Sequence, residues 1–180
     1  MGEGIVEKLK QEFDLQVEWR GVEIHPETPL EGTPMTKRFR TEDIKRIMEH
    51  LRTIGAPFGI TFVDRPLLSN SRLALQAAEF AREQNLFAPF HTALFAAYFS
   101  HGLDIGNIDV LAMIAKDAGL DDEAMKRDLQ DGKHLPRLEA MKEEAAARGV
   151  TGVPSFFIGD KKSVVGAQPL DVFRKALRTG

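Results

Sequence analysis

The segment from Gly149 to Gly159 constrains the fold of this chain more than any other part. A glycine suited to ending a helix is followed by a Val153-Pro154 step and then by the apolar run Ser155 to Ile158. Because proline cannot donate to a sheet, it is confined to the first position of a strand or to an edge. The segment therefore predicts a strand beginning at Pro154. A cis bond there would leave the Val153 N–H and C=O open to a neighbouring molecule.

The residues after this strand predict a hairpin and a final helix. Gly159-Asp160 is typical of a turn, Lys161 to Val165 of a returning strand, and Gly166-Ala-Gln-Pro169 of a helix start. This order resembles the C-terminal half of a thioredoxin fold. It is most similar to the DsbA-like oxidoreductase family, in the branch that holds 2-hydroxychromene-2-carboxylate isomerase and kappa-class glutathione transferases. The resemblance implies a cis proline whose preceding residue pairs with substrate peptide or glutathione.

A second stretch carries the same resemblance. Residues 19–32 read Trp-Arg-x-x-Glu-Ile-His-Pro-Glu-x-Pro-x-Glu-Gly, similar to what the family carries after its second strand. Apolar spacing predicts a helix over residues 4–13, and alternation predicts a strand over Leu15–Ile24. A series of about six helices is predicted between that strand and Pro154, with Asn107 and Asp121 as N-caps. The resemblance covers residues 4–178.

The expected fold class is therefore α/β, a thioredoxin-like fold with an inserted all-helical subdomain. We predict that residues 1–34 and 150–180 form the thioredoxin-like domain and that residues 35–149 form the insertion. The resemblance also implies a first strand, and a Cys-x-x-Cys or a serine at the N-terminus of the first helix. That helix begins here near Gly4, so the first strand is expected to be missing and the catalytic residues to lie just upstream of Met1. Either the sequence is an incomplete copy, or another chain covers the place of the missing strand. Two copies could also pair through their exposed strand edges.

The chain contains no cysteine, which excludes a thiolate nucleophile and thiol ligation of metal by these residues. A net charge of −3 predicts no binding to nucleic acid or acidic membranes. No apolar targeting segment or membrane span is apparent, so the expected location is cytoplasmic.

Five residues are predicted to bind substrate. The resemblance implies that Val153 and Pro154 pair with a peptide thiol, a disulfide or glutathione. Asn70 is suited to capping a helix, and the family places an asparagine there facing the cleft. Ala167 and Gln168 occupy the segment that holds the γ-glutamyl end of glutathione in kappa-class relatives, although the residue types differ.

No metal site is predicted, because the histidines lack ligand spacing. They are His25, His50, His91, His101 and His134. Of these, His91 could approach the cleft from the inserted helices, although a surface or core role is the plainer interpretation. No resident cofactor is expected, with glutathione as one alternative cosubstrate.

Three functions remain open. The resemblance implies a thiol–disulfide oxidoreductase, which the chain as written cannot be without a cysteine. The second is a glutathione-dependent isomerase or transferase. The third is a non-catalytic module that binds a peptide or a thiol compound.

Overall fold

A computed structural model describes residues 1–159 and 162–179, with the backbone alone of residue 162. The helices within these residues are α1 Gly2–Lys10, α2 Met35–Arg38, α3 Thr41–Gly55, α4 Arg72–Glu83, α5 Phe87–Phe95, α6 Ile108–Asp117, α7 Asp122–Gln130, α8 Leu135–Ala147 and α9 Leu170–Arg178. The strands are β1 Thr33–Pro34, β2 Leu67–Leu68, β3 Ser155–Ile158 and β4 Lys162–Val165. A 3₁₀ turn over Ala56–Phe58 follows α3, and a π-helical turn over Ala96–Ser100 continues α5.

Local chemistry sets several helix boundaries. The Asn107 side chain accepts a hydrogen bond from the Asp109 N–H at 2.8 Å, and the Asp121 carboxylate accepts one from the Ala124 N–H at 2.8 Å. These bonds satisfy amides that the first turns of α6 and α7 would otherwise leave unpaired. Gly149 lies just after α8 with φ of +69°, a left-handed conformation that side chains disfavour. Both predicted N-caps are confirmed.

The C-terminal strands pair as an antiparallel hairpin in which Phe156 faces Val164. Phe156 turns towards α9, where its ring meets the edge of Phe173 at 4.8 Å between centroids. Phe157 and Val165 lie on the other face and are exposed. The predicted turn residue Asp160 and the predicted strand residue Lys161 lie outside the described residues.

Two hydrophobic clusters hold the described residues together. The larger cluster packs α4, α5, α6 and α7, and it includes Phe80, Phe90 and Leu111. The smaller cluster packs α1 against α9 and the hairpin. Its buried members are Ile5, Leu9, Val164 and Phe173. The described residues therefore have two cores: one formed by helices α4 to α7, and one formed by α1 together with the hairpin and α9.

The strand predicted over Leu15–Ile24 is wrong. Residues 14–23 have no regular structure and pair with no strand among the described residues. The Trp19 carbonyl accepts a hydrogen bond from the Arg82 guanidinium of α4 at 2.9 Å, and Glu23 forms two bonds with Arg72 at 3.1 and 3.2 Å. Alternation marks a segment that can extend, but ladder hydrogen bonds to a neighbour make it a strand.

Residues 35–149, predicted to be an all-helical insertion, also contain a short strand. Leu67–Leu68 pairs antiparallel with Thr33–Pro34, across the boundary predicted at residue 34.

None of the helices in the described part of the chain combines the length and the apolar character needed to cross a bilayer.

Candidate functional site

The first turn of α1 lies directly against the Pro154 loop. A Cβ added to Gly2 would stand 3.3 Å from the Pro154 Cβ and 3.6 Å from the Phe156 ring. A side chain at this position would therefore press on the proline, and glycine allows the helix to approach it closely. The Val153–Pro154 peptide bond is cis.

Hydrogen bonds on both sides of Val153 hold the loop around it in place. The Pro154 carbonyl accepts a hydrogen bond from the Gly166 N–H at 2.8 Å, and the Ser155 hydroxyl donates to the Gly152 carbonyl at 2.7 Å. Within the described residues, neither the N–H nor the C=O of Val153 has a hydrogen-bond partner. Its side chain is 49% exposed. The loop thus presents one donor and one acceptor on a fixed backbone.

Strand β3 continues this arrangement. It pairs with β4 along one edge, and none of the described strands pairs with its other edge. An unpaired edge presents a row of N–H and C=O groups to which another extended chain can bond. Val153 lies just before this edge.

Glu3 connects the first turn of α1 to α5. Its carboxylate accepts a hydrogen bond from the Thr92 hydroxyl at 2.6 Å, and the His91 Nδ1 lies 3.8 Å from the same oxygen. The neighbouring His91 imidazole is the main reason that the pKa of Glu3 lies below its ordinary value. Burial acts in the opposite direction, and the Thr92 hydroxyl adds to the lowering. The carboxylate is therefore held in its ionised form.

Aromatic rings surround His91. The imidazole stacks on Phe87 with 5.0 Å between centroids, and it lies 4.5 Å from Phe95 and 5.2 Å from Trp19. Phe87, His91 and Phe95 recur every four residues and so share one face of α5. Phe95 is 41% exposed. The wall next to Glu3 is therefore aromatic and partly open to solvent.

Asn70 is a buried capping residue. Its side-chain oxygen accepts a hydrogen bond from the Arg72 N–H at 2.9 Å, at the start of α4. Its side-chain nitrogen donates to the Thr28 carbonyl at 2.6 Å. These bonds tie α4 to the proline-rich loop before β1. The side chain is thus engaged in structural bonds on both of its polar atoms.

The turn before α9 exposes Ala167 and Gln168. The Gln168 side-chain amide donates to the Val165 carbonyl at 3.1 Å, and its backbone N–H bonds to the Gly166 carbonyl at 3.0 Å. Helix α9 begins at Leu170, so Pro169 precedes the first helical residue instead of occupying it. The turn is beside the hairpin, and the Gln168 amide is used to brace it.

Comparison with known proteins places this fold. The family described as a DSBA-like thioredoxin domain has a model that matches residues 1–178. This chain belongs to that family. The DSBA-like thioredoxin fold predicted from the sequence is confirmed.

Individual relatives of this DSBA-like chain span nearly all of it. The uncharacterized protein YwbO of Bacillus subtilis is 29% identical over 183 residues, which cover 98% of this chain and 88% of YwbO. A probable DsbA oxidoreductase from Streptomyces coelicolor has a TM-score of 0.89 at 23% identity, over 99% of this chain and 82% of its own. A 2-hydroxychromene-2-carboxylate isomerase has a TM-score of 0.80 at 20% identity, over 98% of this chain and 86% of its own. At these identities the two structures show the fold alone.

The structure of this DSBA-like chain brings together some of the predicted residues and adds others. Pro154 meets the first turn of α1, and Val153 is the residue before it in the loop. The Asn70 side chain is instead tied to Thr28 and to the start of α4. Sequence reasoning missed Glu3. An acidic residue in a first turn is typical of any helix, so no local pattern marks its partner on α5.

Proposed function

We propose that this DSBA-like chain binds an extended peptide thiol or disulfide, or glutathione, against Val153 and the free edge of β3. The observation that supports this proposal is the N–H and C=O of Val153, which have no partner among the described residues, in the loop whose Pro154 lies against the first turn of α1. An extended ligand that adds to a sheet edge needs one such donor and acceptor in a fixed position.

The ends of the site suit different parts of such a ligand. The N-terminus of α1 carries the positive end of the helix dipole and favours a thiolate or carboxylate, although the Glu3 charge opposes this. The wall formed by Phe87, His91 and Phe95 suits an apolar or aromatic group of the ligand. Because the chain has no cysteine, these residues bind and orient a sulfur compound but supply no sulfur nucleophile. Thiol–disulfide exchange by this chain alone is therefore not expected.

A glutathione-dependent isomerase or transferase is the second candidate. The lack of cysteine favours it, because in such enzymes the sulfur belongs to the ligand. The bond from the Gln168 amide to Val165 weighs against it, since that amide would have to be released to hold a γ-glutamyl group.

Calorimetric titration tests the proposal with three probes: reduced glutathione, a short unstructured peptide with one cysteine, and the same peptide alkylated. Val153→Pro removes the N–H. We expect the affinity for both peptides to fall about tenfold or more, which corresponds to the loss of roughly one hydrogen bond. Val17→Pro is the matched control, a half-exposed valine in the irregular segment, and it should bind as the unmodified chain does. Equal affinities of the two variants would contradict the proposal.

The probes also separate the candidates. Binding of the peptides but not of glutathione favours a peptide site, and saturable binding of glutathione alone favours the isomerase or transferase. Turbidity from insulin reduction should stay at background with this chain. If two copies occupy each other's edges, sedimentation velocity will detect a dimer, and peptide affinity will decline as protein concentration rises.

A further inference from the structure

Three potential metal ligands meet where α4, α7 and α8 converge. They are Glu83 at the end of α4, Asp128 on α7, and His134 just before α8. One donor atom from each lies within 4.8 Å of the others. Sequence spacing did not indicate them, because the ligands come from three separate elements.

His134 is the buried member of this group. It is 4% exposed, and its Nε2 has no hydrogen-bond partner among the described residues. That nitrogen lies 3.5 Å from an Asp128 carboxylate oxygen, and Nδ1 lies 3.7 Å from a Glu83 oxygen. The Phe80 ring meets the imidazole edge to face at 6.4 Å and helps to hold its plane. A buried nitrogen without a partner costs free energy, and a bound ligand would remove that cost.

A cation already lies between the two carboxylates. The Lys133 ammonium is 2.7 Å from Asp128 and 3.0 Å from Glu83, and its bond to Asp128 is the main cause of the lowered pKa of that carboxyl group. One ammonium offsets only one of the two negative charges. Lys133 is half exposed, so it can move into solvent without disturbing the core.

We propose that Glu83, Asp128 and His134 bind a divalent transition-metal ion of the zinc class, which replaces the Lys133 ammonium. Tetrahedral zinc with ligands at about 2.0–2.1 Å separates its ligand atoms by about 3.3 Å. The His134 Nε2 and the nearest Asp128 carboxylate oxygen are 3.5 Å apart, close to that separation. One imidazole and two carboxylates neutralise the ion and favour zinc or cobalt over calcium or magnesium. The ion would join the ends of α4, α7 and α8.

Titration of the whole chain with cobalt chloride and zinc chloride tests this site, read by calorimetry and by visible cobalt absorption. We expect one ion per chain, with a rise in Tm. Glu83→Gln and His134→Gln should each weaken binding about tenfold or more. Lys133→Met removes the competing charge and should tighten binding about tenfold.

Two controls come from α8, where Lys142 and Glu139 form a simple surface ion pair at 2.7 Å. Lys142→Met and Glu139→Gln should leave metal affinity unchanged. If His134→Gln fails to fold, the half-exposed Glu83 carries the test. The proposal is overturned if the unmodified chain takes up no cobalt at one-to-one stoichiometry, or if Glu83→Gln and Glu139→Gln bind it equally.

Discussion

Single side chains decide how the first turn of α1 is held. Glu3 accepts a hydrogen bond from Thr92 of α5, 89 positions away in the chain, and it also faces His91 of α5. A partly buried helix terminus needs such an anchor, because the turn itself has few backbone bonds to offer. The same residue that fixes this turn also places a negative charge near the proposed ligand site.

Replacing this carboxylate should therefore cost stability in a pH-dependent way. At neutral pH we expect Glu3→Gln to lower the free energy of unfolding by about 1 kcal/mol, a charge-assisted hydrogen bond discounted for partial exposure. The pKa of Glu3 is lowered in the fold, so its contribution is present above the unfolded value of about 4.3 and disappears as pH falls through the folded value. Urea unfolding at a series of pH values measures this. Glu7→Gln, on the exposed side of α1, should show no comparable difference at neutral pH.

At the scale of elements, the segment over residues 14–23 is held by side chains instead of a sheet. Arg82 holds this segment at Trp19, whose carbonyl accepts its hydrogen bond, and Arg82 is itself positioned by pairing with Glu79 at 3.3 Å and stacking on Phe87 at 4.0 Å. A guanidinium can make these contacts together because it is planar and has several donors.

Arg82→Lys should release this segment while leaving the helices folded. Lysine lacks the planar fork, so it cannot stack on Phe87 and also bond to both partners. We expect faster proteolytic cleavage within residues 14–23 and an unchanged far-ultraviolet dichroism spectrum. Arg46→Lys, at an exposed surface pair on α3, serves as the matched control. Equal cleavage of the two variants would show that Arg82 does not hold the segment.

Over the whole molecule, the two hydrophobic clusters coincide broadly with the predicted division into residues 1–34 with 150–180, and residues 35–149. That division stays a prediction. If the clusters are separate cooperative units, damage to one should spare the other.

Native-state hydrogen exchange tests this division. Phe173→Ala removes a fully buried ring and should cost about 3–5 kcal/mol in its own unit. We expect faster exchange in α1, β3, β4 and α9, with little change in α4 and α6. Leu111→Ala, at a fully buried site of the helical cluster, should give the reverse pattern. Uniform acceleration in both variants would indicate a single unit.

The sequence by itself determined the features that depend on neighbouring residues. Asn107 and Asp121 cap helices through amides two or three positions ahead, and the apolar run after Pro154 forms its strand. The order of the C-terminal elements, together with the stretch over residues 19–32, also indicated the family. Each depends on chemistry within a few residues, or on the order of elements.

Only the tertiary structure decided which distant residues meet. Residues 14–23 alternate like a strand, yet Arg82 and Arg72 bond to them from a helix. The pairing of Glu3 with Thr92, and the group that contains His134, likewise join separate elements. Which polar side chains meet depends on how whole helices pack, and the local sequence pattern around each residue does not contain that information.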